Sequence, residues 1–325
     1  MYKRIVTHAD FDGIVSAALC SRSLDINFFV FTQPRLVAEA RISITKQDIV
    51  CDLPYPLECG LWFDHHDGNL DELLHRNILV KDIPGKFEIN DSCARVIYDY
   101  FTEQKTHFPD FIEQTVVEAD IIDSFNYSGI EDWRSETPGK IIDASIKVKE
   151  PSAERKWEHL RNLVRQLQSR SIEEVAHMAS VRKRYRQYRE EEERMIEQIH
   201  TEIKFLPQDP DQHVILLDLT HHSRRPFLFK QLAYLVHPDA QAVLLVSNVF
   251  DNDKKTNNLT FSMSLSLNMN KMEHNKDIGD IMRSLNLGSG HPGAAAGVLN
   301  CSTKDEMLKS KDRLIGEIYD RFMNQ

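Results

Sequence analysis

A chain of 325 residues is long enough for two domains, each with its own core. With 41% hydrophobic and 28% charged residues it has the balance of a globular protein, and no apolar run reaches the roughly 18–20 residues that a bilayer demands. A net charge of −10 argues against coating long nucleic acid, whose phosphates call for a basic surface, and favours local capture of a small anion.

Five scattered cysteines (Cys20, Cys51, Cys59, Cys93 and Cys301) show no paired spacing, so they read as reduced, buried thiols. Residues 1–7 enter a strand without the apolar core of a secretory signal, which points to a cytoplasmic chain.

In chain order, an apolar strand over residues 4–7 ends on His8-Ala9-Asp10-Phe11-Asp12-Gly13, and a helix over 14–21 follows. Further strands are predicted over 27–31, 48–51 and 61–63, the last running into Asp64-His65-His66. Continuous apolar strands separated by helices predict a parallel sheet covered on both faces, with ligands at the strand carboxyl ends. Residues 92–125 and a long stretch from about 154 to 204 read as helical. The latter carries a charge-dense run over 182–194 with little apolar face, which reads as a solvated connecting helix. Strands return over 213–219 and 242–248. From Leu259 to Leu267 apolar residues alternate with Thr260, Ser262, Ser264 and Ser266, a period of two that predicts a half-exposed strand with a hydroxyl face. A helix over 277–285 then leads into Gly288-Ser289-Gly290-His291-Pro292-Gly293, a glycine-rich turn suited to bringing backbone amides against an anion.

Carboxylates and imidazoles thus collect at the ends of successive strands. Asp10 and Asp12 alternate along extended backbone, so they point to opposite sides and can each address one ion of a pair. His8 lies on the side of Asp10. Asp52, after another strand, is a candidate to bridge both ions. Oxygen ligands suit magnesium or manganese, and the imidazoles tilt the choice towards manganese or another transition metal. Two ions roughly 3.5–4 Å apart activate a hydroxide and steady the leaving oxygen of a phosphate. Asp-x-Asp-Gly alone also describes turns, and paired histidines are often surface residues. Their co-occurrence at successive strand ends points to metal-dependent phosphoester chemistry.

The pattern resembles the DHH phosphoesterases with a C-terminal DHHA1 domain. That group takes in RecJ exonucleases, nanoRNases acting on short oligonucleotides and pAp, and cyclic-dinucleotide phosphodiesterases; exopolyphosphatases and family II pyrophosphatases share the N-terminal domain. THADFDGIVSAAL is similar to the first motif, VCDLPYP to the second, LWFDHHDGN to the third and LGSGHPGAAAG to the DHHA1 signature. The resemblance implies an α/β fold: a parallel-sheet DHH domain with helices on both faces and a connecting helix over residues 1–195, then a smaller α/β DHHA1 domain over 196–325. It implies His8, Asp10 and Asp52 on one metal, and Asp12, Asp52, His65 and a fourth-motif aspartate on the second. Asp120 is preferred for that place, with Asp123 as the alternative. His66 would contact the scissile phosphate or protonate the leaving group, and Asp64 would orient the imidazoles. In the second domain Gly288, Ser289, Gly290 and His291 look like the substrate loop, which reaches the substrate when the domains close, and Arg283 lies on the helix before it. Arg224, in the basic cluster His221-His222-Ser223-Arg224-Arg225, and Arg95 are further candidate substrate contacts.

The expectation is a manganese-dependent phosphoesterase with two ions, for which magnesium or cobalt can substitute. It would hydrolyse short oligonucleotides or nucleotides such as pAp by metal-activated water. An inorganic polyphosphate or pyrophosphate hydrolase is the alternative enzyme, and calls for a cleft lined only by lysine and arginine. A non-catalytic nucleotide-binding regulator is the alternative of another class. The expected partner is a small phosphorylated substrate, with no membrane; a homodimer is compatible with this.

Overall fold

The computed structural model describes residues 2–251 and 253–325. Five short strands, β1 (Arg4–His8), β2 (Phe29–Thr32), β3 (Asp48–Cys51), β4 (Leu61–Asp64) and β5 (Gly85–Phe87), lie in the order β2-β1-β3-β4-β5, and all pair in parallel. Ile5 stands opposite Phe29 on one side and Ile49 on the other, and Ile49 stands opposite Leu61. Successive side chains leave opposite faces. Ile5, Ile49, Leu61 and Phe63 therefore enter one core with Ile14, Ile97, Val116 and Leu160 from the covering helices. Val6, Val50 and Trp62 enter another with Leu73 and Ile83. Burial on both faces is why these strands read as unbroken apolar runs.

The start of the helix Phe11–Leu24 is pressed against β1. Asp10 caps it, accepting from the Gly13 amide at 2.9 Å. A Cβ on Gly13 would lie 2.4 Å from the His8 carbonyl oxygen, so only glycine lets the helix begin this close to the strand. That contact keeps Asp10 and Asp12 beside His8.

By its internal contacts the chain divides into two units, residues 1–126 with 135–190, and 127–134 with 191–325. The stretch expected as one long helix is three, Ala153–Leu167, Ile172–Ala176 and Ala179–Glu202. The charge-dense third one does have an apolar stripe: Val181, Tyr188, Met195 and Ile199 are buried at helical spacing. Residues 92–125 likewise divide, into Cys93–Glu103 and Asp110–Asp123.

In the second unit β6 (Ile203–Lys204), β7 (Val214–Asp218), β8 (Ala242–Asp251), β9 (Lys254–Leu265), β10 (Gly288–His291) and β11 (Ala294–Leu299) form a mixed sheet in the order β10-β11-β9-β8-β7-β6. Leu244, Val246, Phe261 and Met263 on one face pack with Ile281, Ile315 and Ile318 of the helices Ile278–Ser284 and Lys304–Asn324. The hydroxyl face of β9 is less open than the alternation predicts. Lys230 donates to Ser262 Oγ at 2.8 Å, and the Tyr234 hydroxyl donates to the Ser264 carbonyl at 2.7 Å. The five cysteines are free and buried. No helix among the described residues is long and apolar enough to cross a membrane.

Candidate metal centre

β1, β3 and β4 are neighbours in the sheet, so the residues at their carboxyl ends converge. His8 closes β1, Asp52 follows β3, and Asp64 closes β4 with His65 and His66 next. His8 Nδ1 lies 2.5 Å from Asp10 Oδ2 and 3.4 Å from Asp52 Oδ2. The other oxygen of Asp52, Oδ1, is 3.8 Å from both His65 Nε2 and His66 Nδ1. His65 Nε2 is in turn 3.8 Å from Asp12 Oδ2 and 3.3 Å from Asp123 Oδ2. Asp52 thus turns one oxygen to His8 and Asp10 and the other to the His65 group. Its own backbone, at φ 56°, is in the left-handed region that non-glycine residues seldom adopt. Strain of this kind collects at functional sites.

The imidazoles are oriented by different partners. His66 Nδ1 donates to Asp64 Oδ1 at 2.9 Å, and Asn69 Nδ2 donates to Asp64 Oδ2 at 2.5 Å. His65 does not use Asp64: its Nδ1 donates to the Asn90 carbonyl at 2.9 Å, which leaves the Nε2 lone pair towards the carboxylates. The expectation that Asp64 orients both rings therefore holds for His66 only. Asp12 has a second task. Its two oxygens accept from the Cys93 and Ala94 amides, each at 2.8 Å, at the start of the helix Cys93–Glu103.

Burial is the largest influence on the charge of these groups. It pushes the Asp52 carboxyl well above the usual range, and the Asp10 and Asp12 carboxylates push it further. Asp123 is driven well up by burial and then by Asp12 and Asp10. Asp12 is raised by burial, against the pull of His65. Burial works against a charged His8, yet Asp10 and Asp52 carry the imidazole up to about 11. Asp10 goes the other way, to about 2, because His8 and the Gly13 amide outweigh its burial. His66 is raised by Asp64 against its own burial. The cluster holds more carboxylate than its imidazoles can compensate.

Both oxygens of Asp52 and Nε2 of His65 are buried without a hydrogen-bond partner. Leaving such atoms unpartnered is costly, and a divalent cation removes the cost for all three. Carboxylate oxygens with imidazole nitrogens suit manganese and its neighbours. The residues present fit the metals that the sequence led us to expect.

Of the two fourth-motif aspartates, Asp123 is the one in the cluster. Asp120 is held elsewhere: Arg95 donates to its Oδ2 through Nε at 3.0 Å and Nη2 at 2.6 Å, and Ser92 Oγ donates to its Oδ1 at 2.6 Å. Arg95 is thus engaged with Asp120 in this structure. We expect Asp123→Asn to weaken manganese binding at least about tenfold, as loss of supporting metal contacts does, and Asp120→Asn to leave it unchanged. Manganese titration of the two variants checks this; a larger loss in Asp120→Asn would return the ligand role to Asp120.

The glycine-rich segment is a strand rather than a turn. Gly288 to His291 pair antiparallel with Ala294 to Gly297, and the chain reverses at Pro292-Gly293. A Cβ on Gly290 would meet the Ala294 carbonyl oxygen at 2.5 Å, and one on Gly279 would meet the Gly290 carbonyl oxygen at 2.4 Å. Gly279 lets the helix Ile278–Ser284 approach the hairpin backbone to backbone, and Gly290 clears the facing strand β11. Arg283 Nη1 reaches the Gly290 carbonyl at 3.4 Å, and His291 is exposed. The side chain of Ser289 lies outside the described residues. Arg224 is exposed in the loop after β7, whereas His221 and His222 beside it turn to Glu202.

Sequence reasoning missed Asn90, whose contribution is a carbonyl and carries no residue-type signal. It also missed Lys156, in a helix read only as charged. Burial lowers the Lys156 ammonium below its usual range, and Asp10 partly restores it, so this cation is close enough to feel the cluster.

No family model and no curated protein matches the sequence. Solved structures do. A pGpG-specific phosphodiesterase from Vibrio cholerae is similar at a TM-score of 0.66 and 23% identity, over 98% of this chain and 99% of its own. A DHH domain structure, described as a member of the s1p family of ribosomal proteins, gives 0.57 at 12% identity, over 98% and 86%. The chain has the DHH fold. RecJ from Thermus thermophilus in complex with Mn2+ gives 0.52 at 14% identity, over 98% of this chain and 52% of that one. Within this DHH fold the cluster occupies the carboxyl ends of parallel strands, where open α/β sheets bind their ligands.

Proposed function

We propose that this chain is a manganese-dependent phosphoesterase acting on short linear oligonucleotides or on nucleotides with a terminal phosphate. The observation that carries the reading is Asp52, a buried carboxylate on strained backbone with both oxygens unpartnered, each turned to a different set of ligands. His8, Asp10 and Asp52 would hold one ion, and Asp12, Asp52, His65 and Asp123 the other. Bound divalent ions supply a water of lowered pKa and shield the charge of the phosphate. Asp64 accepts from His66 Nδ1 and raises its pKa, which favours His66 as the donor of a proton from Nε2 to the leaving oxygen.

A linear dinucleotide of the pGpG kind is the preferred substrate, supported by the fold shared over nearly the whole length with a phosphodiesterase of that specificity. A polyphosphate cleft would need arginines aimed at the chain of phosphates, and Arg95 is bound to Asp120 instead. A regulator without turnover has no use for buried, unpartnered Asp52 and His65 atoms.

Side-by-side hydrolysis of pGpG, pAp, a cyclic dinucleotide and polyphosphate with manganese tests the proposal. The linear nucleotides should exceed polyphosphate in kcat/KM by at least about 100-fold, a difference of about 2.7 kcal/mol in transition-state binding, and chelation should abolish turnover. Polyphosphate as the best substrate would overturn the nucleotide assignment, and no hydrolysis of any would overturn the enzyme.

A further inference from the structure

We propose a second metal site, of the zinc type, built from Glu202, His221 and His222 in the second unit. Glu202 ends the helix Ala179–Glu202 and leads directly into β6; the two histidines follow β7. β6 pairs with β7, Ile203 opposite Leu217, so the backbone itself brings the helix end to the histidine loop. Glu202 Oε1 is 3.3 Å from His221 Nε2 and 2.8 Å from His222 Nε2, and the three donor atoms lie within 4.8 Å of one another. Tetrahedral zinc, with ligands at about 2.0–2.1 Å, spaces its donors about 3.3–3.4 Å apart. The triad is near that spacing already.

Two further observations favour an ion over plain hydrogen bonds. His221 Nδ1 donates to the Asp218 carbonyl at 3.2 Å, the contact that typically fixes the tautomer of a metal-binding histidine and leaves Nε2 as the ligand. Both Nε2 atoms turn to the same Glu202 oxygen, and the ring centroids are 4.1 Å apart. Lys255 Nζ already donates to the Thr220 carbonyl at 2.5 Å, and Lys311 Nζ to Asp218 at 2.6 Å, so cations already crowd the loop. One divalent ion would take both rings through Nε2 and set its charge against the Glu202 carboxylate.

Two imidazoles and a carboxylate select zinc over magnesium. His221, with a side chain 57% exposed, leaves the outer side of the site open to water. The ion would clamp the helix end to the loop that carries Arg224 and Arg225. The site shares no residue with the carboxylate cluster at β1, β3 and β4, and stands independently of the proposed activity.

Equilibrium dialysis of the full chain against chelator-buffered zinc tests it. At a free zinc level that saturates the parent, His221→Ala, His222→Ala and Glu202→Gln should each bind one ion fewer per chain. His221 is exposed and Glu202→Gln keeps the side-chain shape, so these two variants keep the test valid if His222→Ala fails to fold. Unchanged stoichiometry in His221→Ala or in Glu202→Gln would overturn the site. With cobalt in place of zinc, the parent minus His221→Ala difference spectrum should show the visible bands of tetrahedral cobalt, and a featureless difference would overturn it too.

Discussion

Asp52→Asn is expected to abolish measurable hydrolysis, lowering kcat/KM on the order of 10³-fold, about 4 kcal/mol. Asparagine is the informative replacement because it tolerates the left-handed backbone at φ 56°, where alanine would add strain. It removes the charge that faces both ligand sets while keeping the shape. The same change should stabilise the metal-free protein at neutral and alkaline pH. Asp52, Asp12 and Asp123 all have folded-state pKa values raised above the unfolded ones. The unfolded chain therefore loses those protons first, and stability falls as pH rises from the ordinary carboxylate range through the raised values. His8, raised to about 11, adds to the fall between its usual value and about 11. Asp10, lowered to about 2, acts oppositely, but only below the ordinary carboxylate range. Asp52→Asn should therefore raise the melting temperature of the metal-free protein more at pH 8 than at pH 5. Thermal melts of parent and variant with chelator at the two pH values check this; an equal or larger gain at pH 5 would contradict the charge account.

His66→Gln is expected to lower kcat roughly 10²–10⁴-fold, the range for loss of a proton donor in the transition state, with little change in bound manganese. Its Nδ1, the nitrogen that faces Asp52 at 3.8 Å, already donates to Asp64 at 2.9 Å. The loss should shrink for a substrate with a good leaving group, such as a p-nitrophenyl ester, which needs no proton. A parallel fall in metal content, or an equal loss on both substrates, would make His66 a ligand instead.

The first sheet was legible in the chain because its strands are buried on both faces, so apolar runs end abruptly on polar residues. His8, Asp52, His65 and His66 stand at those ends, and the sheet order brings them together. Asp123 was not separable from Asp120: three residues apart on one helix, they project to neighbouring directions. Only the packing of that helix decides which meets His65 and which meets Arg95. The glycine run misled for a related reason. Glycine serves turns, ligand approach and close backbone packing alike, and at Gly290 it clears the facing strand β11. His221 and His222 read as a basic cluster because their partner Glu202 precedes them by a whole β6–β7 hairpin.

The central claim is that Asp52 joins two metal ions, and the most direct measurement is anomalous scattering at the manganese edge from crystals grown with manganese. Two peaks are predicted on either side of the Asp52 carboxylate, one against His8 and Asp10 and one against His65 and Asp123. A single peak away from Asp52, or none in crystals whose protein hydrolyses pGpG, would contradict it.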